Sequence, residues 1–144
     1  SLGWNDGGRF EDRWVTLKVD PESPCVFTKG LETLEVPVRH GEGKVIAASA
    51  EVRSAIDDQH LAPVRYVDAD GNPTEDYPAN PNGSAGGIAG PCDPTGRCFG
   101  LMPHPEAFTH RTNHPQWTRR QDLPEAGAGL VIFENAVRFI RESL

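Results

Sequence analysis

Thiols are scarce in this chain. Cysteine occurs only at 25, 92 and 98, an odd count whose spacing matches neither a zinc framework nor a disulfide scaffold. Three reduced thiols in a cytoplasmic protein are therefore expected. Apolar runs are short as well: none approaches the roughly 20 residues that a membrane span requires. The opening SLGWNDGGRF has no cationic-then-apolar leader pattern, so no membrane contact is expected. Positive charge is in deficit, with 14 Lys+Arg against 21 Asp+Glu and a net charge of −7, which argues against binding nucleic acid through its phosphates. Several catalytic signatures are missing too. No G-x-S-x-G occurs, GSAGG lacks the lysine of a phosphate loop, no G-x-G-x-x-G opens a helix, and H-E-x-x-H is absent. No initiator Met opens the chain and a strand-like run begins almost at once, so the chain reads as part of something longer.

What is present suits one domain over residues 1–144. Gly and Pro make up about a fifth of the residues, a loop-rich composition that is still globular at 37% hydrophobic. RWVTLKV (13–19) alternates and is β-branched, so it predicts a strand. PCVFT predicts a second short strand, LETLEVPVRH (31–40) a third, and a turn on Gly41 and Gly43 leads into a fourth. Ser49 predicts the N-cap of a helix over AEVRSAIDDQHL, with Val52, Ala55 and Ile56 on one side. LAPVRYVDADGNP predicts a strand ending in an Asp-Gly turn, and Pro73–Gly87 a long polar loop of the kind that often carries function. IAGPC and RCFGLM predict paired strands across a DPTG turn. AFTHRTNHPQWTRRQDLPE is irregular. The closing AGLVIFENAVRFIRESL predicts a helix whose Leu130, Phe133, Val137, Ile140 and Leu144 fall on one stripe.

The chemistry concentrates in GLMPHPE (100–106). Pro103 and Pro105 predict an extended Met102–Glu106, and residues two apart in extended chain share a side. Glu106 can then accept a hydrogen bond from one nitrogen of His104, fix its tautomer, and leave the other nitrogen free to take a proton. A histidine in a proline-rich surface turn is the alternative. A base of this kind needs a nucleophile. GRCFG around Cys98 has the outline of a nucleophile elbow, but an elbow requires strand, sharp turn and helix, and FGLMPHP follows instead. Cys98 is expected to be a buried strand thiol, some 20 Å from His104 along extended chain. At Cys92 the neighbouring Asp93 raises the thiol pKa, and Cys25 has no helix start behind it to lower its own. A second reading, H-x5-H-x3-H over His104, His110 and His114, is a metal cluster; no metal is expected.

Several stretches taken in order resemble one family. GRFEDRWVTLKV, PVRHGEGKV, YPANPNGS, IAGPCDPTGRCFGLMPHPE and LVIFENAVRFI are similar to the class I glutaminase of phosphoribosylformylglycinamidine synthases, the formylglycinamide ribonucleotide amidotransferases of purine biosynthesis. The likeness covers nearly the whole chain, and THRTNHPQW extends it. It implies an α/β fold: the C-terminal part of a flavodoxin-like domain, a mixed sheet with an antiparallel extension and a long C-terminal helix. It also implies that His104 is the base and Glu106 its orienting acid. Arg39, His40 and Gly41 are implied to hold glutamine through the backbone. Asn80, Asn82 and Ser84 of NPNGS are expected near the active site, or else in an Asx-bonded turn.

In that family the nucleophile is a cysteine on a G-V-C-N-G elbow placed before RFEDRWV, a motif not present here. The implied partners are the N-terminal half of the same domain, a synthetase subunit or domain, and glutamine. ATP and Mg belong to the synthetase, with no cofactor in this chain. An apolar face is expected to be exposed or covered by another chain, either the missing half or a second copy in a homodimer. Three functions follow: a glutaminase portion inactive alone, a non-catalytic binding or regulatory module of the same fold, or a His-cluster metal hydrolase.

Overall fold

The computed structural model describes residues 1–143. Its strands are β1 (Leu2–Trp4), β2 (Glu11–Val19), β3 (Thr33–His40), β4 (Glu42–Val45), β5 (Val64–Tyr66) and β6 (Ile88–Gly90), and its helices are α1 (Ala50–Asp58) and α2 (Leu130–Ser143). β1 pairs with β4; the main sheet runs β3-β2-β5-β6. Every strand pairing among the described residues is antiparallel, so the mixed sheet that was expected shows only its antiparallel part here.

The alternation in β2 sets the core. Val15, Leu17 and Val19 face inward while Thr16 and Lys18 face water. Register carries this to β3, where Val15 sits opposite Val36 and Leu17 opposite Leu34. Val38, Val64, Tyr66, Ala89 and Ile132 complete the cluster. Leu17 is wholly buried, which contributes about 1.5–3 kcal/mol through removal of its side chain from water. β3 is an edge strand, which is why Pro37 within it costs the ladder little.

Ser49 caps α1 as its sequence predicts, accepting from the Val52 N–H at 3.3 Å. Ile56 packs beside Val45, Ala62 and Ile88, whereas Val52 remains 44% exposed. PCVFT is not a strand: Val26–Thr28 forms a 3-10 turn, and Val26 N–H bonds to the Gly96 carbonyl. The DPTG hairpin holds a single bridge, Cys92 to Phe99, in place of paired strands. Its turn is organised by Asp93, whose carboxylate takes the Thr95 hydroxyl and the N–H groups of Cys98, Thr95 and Arg97. These contacts, the Thr95 hydroxyl foremost, hold its carboxyl down at about 2.

α2 forms where its periodicity predicts, but its apolar stripe faces outward. Ile132 and Asn135 are the buried residues, with Asn135 donating to the Phe27 and Lys29 carbonyls at 2.9 Å each. Phe133, Val137 and Ile140 are 44%, 48% and 55% exposed. Leu144, the last residue of the stripe, lies outside the described residues. No described helix is long and apolar enough to cross a membrane.

Candidate active site

Met102–Glu106 is not extended. The chain turns into a 3-10 segment over Pro105–Ala107. Pro105 favours this, because its preset φ suits the first position of such a turn and it has no N–H to leave unpaired. His104 keeps φ −105° and ψ 87°, outside the helical region, as the following proline requires. Its N–H donates to the Pro37 carbonyl on the edge of β3 at 2.7 Å. The sheet therefore fixes the backbone of the histidine.

The expected side-chain pair forms by this different route. His104 Nδ1 lies 2.6 Å from Glu106 Oε1. An ionised carboxylate only accepts, so Nδ1 carries the proton and Nε2 is left with its lone pair. Partial burial pushes the Glu106 carboxyl up, but the His104 hydrogen bond, its own backbone amide and the charges of His104 and Arg39 together hold it below the usual range. The His104 side chain is 36% exposed. Beside it opens a pocket of about 420 Å³ walled by Phe99, Leu101, Pro103, Ile132 and Phe133. The pair thus stands at the mouth of an apolar recess, able to accept a proton at Nε2 and return it.

None of the three cysteines lines that pocket. Cys25 and Cys92 are buried in the body of the fold. Burial raises the Cys92 thiol, with the Cys25 and Asp93 charges adding to it and the Ser23 hydroxyl opposing. Cys98 is exposed, not buried as its strand-like context predicts, because the segment around it is a tight turn gathered on Asp93. Its own N–H is one of the donors to that carboxylate.

The remaining candidates divide into two kinds. Arg39 is exposed, 3.8 Å from Asp12, and close enough to Glu106 for its charge to act there. His40 is buried at 6% exposure, and the Gly41 carbonyl accepts the Asn5 N–H at 2.9 Å. Asn80, Asn82 and Ser84 are sealed inside. Asn82 donates to the Gly43 carbonyl at 2.7 Å and to the Tyr66 hydroxyl at 3.1 Å. Ser84 Oγ takes the Val45 N–H at 2.9 Å and donates to Asn82 Oδ1 at 2.7 Å. Asn80 accepts from the Gly83 N–H at 3.0 Å and donates to the Ser84 carbonyl at 2.9 Å. The NPNGS loop thereby clamps β4.

His104, His110 and His114 are not brought together: His110 meets Thr112 at 2.8 Å and His114 faces Glu35 at 3.5 Å. Among the described residues, the grouping of histidine and carboxylates close enough to share an ion is Asp20, Glu22 and His60. It lies just past the end of β2 opposite to Glu11 and His40. There Asp20 and Glu22 take opposite ring nitrogens of His60, at 2.8 and 3.5 Å, an ion-pair arrangement. Asn5 is the site neighbour that sequence reasoning misses, because its contacts with His40 span 35 residues and no local pattern announces them.

The profile of the CobB/CobQ-like glutamine amidotransferase domain matches residues 1–140. The chain is 48% identical over 142 residues to phosphoribosylformylglycinamidine synthase subunit PurQ of Dehalococcoides mccartyi, covering 99% of the chain and 53% of that protein. It is also 48% identical over 141 residues to phosphoribosylformylglycinamidine synthase of Homo sapiens, covering 94% of the chain and 10% of that protein. The PurLQS structure from Thermotoga maritima superposes with a TM-score of 0.65 at 25% identity, over 97% of this chain and 52% of that one. The chain spans about half the length of the PurQ subunits it matches.

Proposed function

As the chain belongs to the CobB/CobQ-like glutamine amidotransferase domain family, we propose that it supplies the base of a glutaminase site in phosphoribosylformylglycinamidine synthesis, with the thiol coming from outside residues 1–144. The observation that carries this is the 2.6 Å bond from His104 to Glu106 at the mouth of a pocket lined by no cysteine. His104 Nε2 takes the thiol proton as sulfur attacks the glutamine amide carbon. It returns that proton to the departing nitrogen, so ammonia leaves and a thioester remains. The same nitrogen then takes a proton from water as water attacks the thioester and passes it to the departing sulfur, releasing glutamate and restoring the thiol. Glu106 holds the imidazole in the tautomer these transfers need. Arg39, His40 and Gly41 shape the glutamine end of the site, and Asn80, Asn82 and Ser84 act behind them by fixing the Gly43 region.

The liberated ammonia serves a synthetase partner, where ATP and Mg belong. The outward stripe Phe133, Val137 and Ile140 on α2, continuous at Phe133 with the His104 pocket, suits the segment that carries the thiol; a second copy of the chain is the competing occupant. The test is His104→Ala in the assembled enzyme. Loss of glutamine-dependent amidation with ammonia-dependent amidation retained supports the reading, and equal loss of both makes His104 structural.

A further inference from the structure

A second pocket, of about 310 Å³, lies between α2, the 3-10 turn at Val26–Thr28 and the Asp93 turn. It opens on the flank of α2 turned away from Phe133, Val137 and Ile140, where Asn135, Arg138 and Glu142 recur at helical spacing. Three separate segments each send one cation to its wall: Lys29, Arg97 and Arg138. Among the described residues none of the three has a carboxylate within ion-pair distance, and Glu142 is the single acid on the wall. Lys29 Nζ donates one hydrogen to the Ser23 carbonyl at 2.9 Å, which anchors the ammonium and leaves two hydrogens unused. The Arg97 guanidinium rests over Phe139, 5.5 Å from the ring centre, a contact that steadies its plane without consuming an N–H. Arg97 bonds to Asp93 and Thr95 through its backbone N–H, so its side-chain donors stay available. In a chain of net charge −7, such a convergence of unpaired cations runs against composition.

Asn135 supplies an independent sign of a ligand. It lines the same pocket while only 3% exposed. Its nitrogen donates to the Phe27 and Lys29 carbonyls, and carbonyls only accept, so the amide orientation is fixed and both its hydrogens are used. Oδ1 is left as an acceptor with no donor among the described residues. A buried acceptor without a donor is costly, and a ligand hydroxyl relieves that cost. The charge selects the other end of the ligand. Three cations against one carboxylate leave a surplus of two positive charges on the wall. A phosphate ester, at about −1.5 to −2 near pH 7, matches that surplus, whereas a carboxylate meets half of it. The guanidinium fork also fits phosphate oxygens two at a time. We propose that this pocket binds a small hydroxylated phosphate ester, with the phosphate among Lys29, Arg97 and Arg138 and a hydroxyl donating to Asn135 Oδ1. The site stands apart from the His104 pocket and does not depend on the glutaminase reading.

The test is titration calorimetry of glycerol 3-phosphate and of methyl phosphate into the assembled enzyme, unsubstituted and carrying Arg97→Gln or Arg138→Gln. Both arginines are exposed, so the variants should assemble, and an unchanged ammonia-dependent rate verifies that they have. Glycerol 3-phosphate is expected to saturate one site per copy of this chain, with affinity falling about tenfold or more in each variant as a charge-assisted contact is lost. Methyl phosphate, which has no hydroxyl to offer Asn135, is expected to bind about fivefold more weakly to the unsubstituted enzyme. No saturable binding of glycerol 3-phosphate overturns the proposal, as does binding that neither substitution weakens. Equal affinity for the two esters overturns the hydroxylated ligand assigned to Asn135.

Discussion

The NPNGS cluster and the His104–Glu106 pair are both made of short polar side chains on proline-bearing loops, yet they meet water in opposite ways. Asn80, Asn82 and Ser84 are 1%, 0% and 0% exposed, and their side-chain groups bond to one another, to Tyr66 and to the backbone. His104 and Glu106 are 36% and 60% exposed at their side chains, with one bond between them and Nε2 free. A saturated buried network has no atom to offer a ligand, and breaking it strands desolvated groups. An open pair contributes little to folding and keeps its chemistry available. Placement in the fold, more than residue type, separates scaffold from chemistry here.

That contrast is sharpest in a pair of substitutions. His104→Ala should lower the glutamine-dependent rate of the assembled enzyme by about 10³-fold or more, while denaturant unfolding of the chain moves by no more than about 0.5 kcal/mol. Asn82→Ala should do the reverse to the fold, destabilising it by about 2–3 kcal/mol as the Gly43 carbonyl, Tyr66 hydroxyl and Ser84 lose their partner. A stability loss as large for His104 as for Asn82 erases the distinction. Next in size, Glu106→Gln should slow the glutaminase step by about tenfold, since the amide can still orient the imidazole but no longer balances its charge. Unchanged turnover would make the carboxylate dispensable.

A smaller effect belongs to His60. Asp20, by its hydrogen bond first, raises the His60 pKa against the opposing effect of desolvation, with the charges of Asp20 and Glu22 adding to the rise. The stability from this pair is therefore fully present below the unfolded value of about 6.5 and fades as pH rises through the higher folded value. Melting temperature should decline across that window in the wild type and stay flatter in His60→Gln; parallel curves remove the pair from the ledger. Smallest of all, Cys98→Ser should leave the glutamine-dependent rate unaltered, because the thiol sits on the Asp93 turn and lines no part of the His104 pocket. A large loss would restore Cys98 as a nucleophile.

The parts of the fold set by local rules were legible in the sequence. β2 announces itself by alternation, and Ser49 by the helix behind it. His104–Glu106 was legible too, because two residues and two prolines confine the pair however the backbone turns. Longer-range relations were not. The periodicity of α2 identifies which residues share a face but not which face meets the core, so the conspicuous stripe points outward while Ile132 and Asn135 pack inward. Cys98 looks like a strand thiol until Asp93 gathers Thr95, Arg97 and Cys98 into a turn. The Asn5–His40 contact depends on the β1–β4 ribbon bringing residues 5 and 40 together. Glutamine-site candidates at Arg39, His40 and Gly41 came from resemblance, and their geometry only from the fold.

The most direct measurement is glutamine hydrolysis by this chain alone and after mixing with the preceding segment of a PurQ relative that contains the G-V-C-N-G cysteine. Activity only in the mixture, lost again with Phe133→Asp on the exposed face of α2, is the predicted result. Hydrolysis by the chain alone contradicts it, because the thiol would then have to lie within residues 1–144.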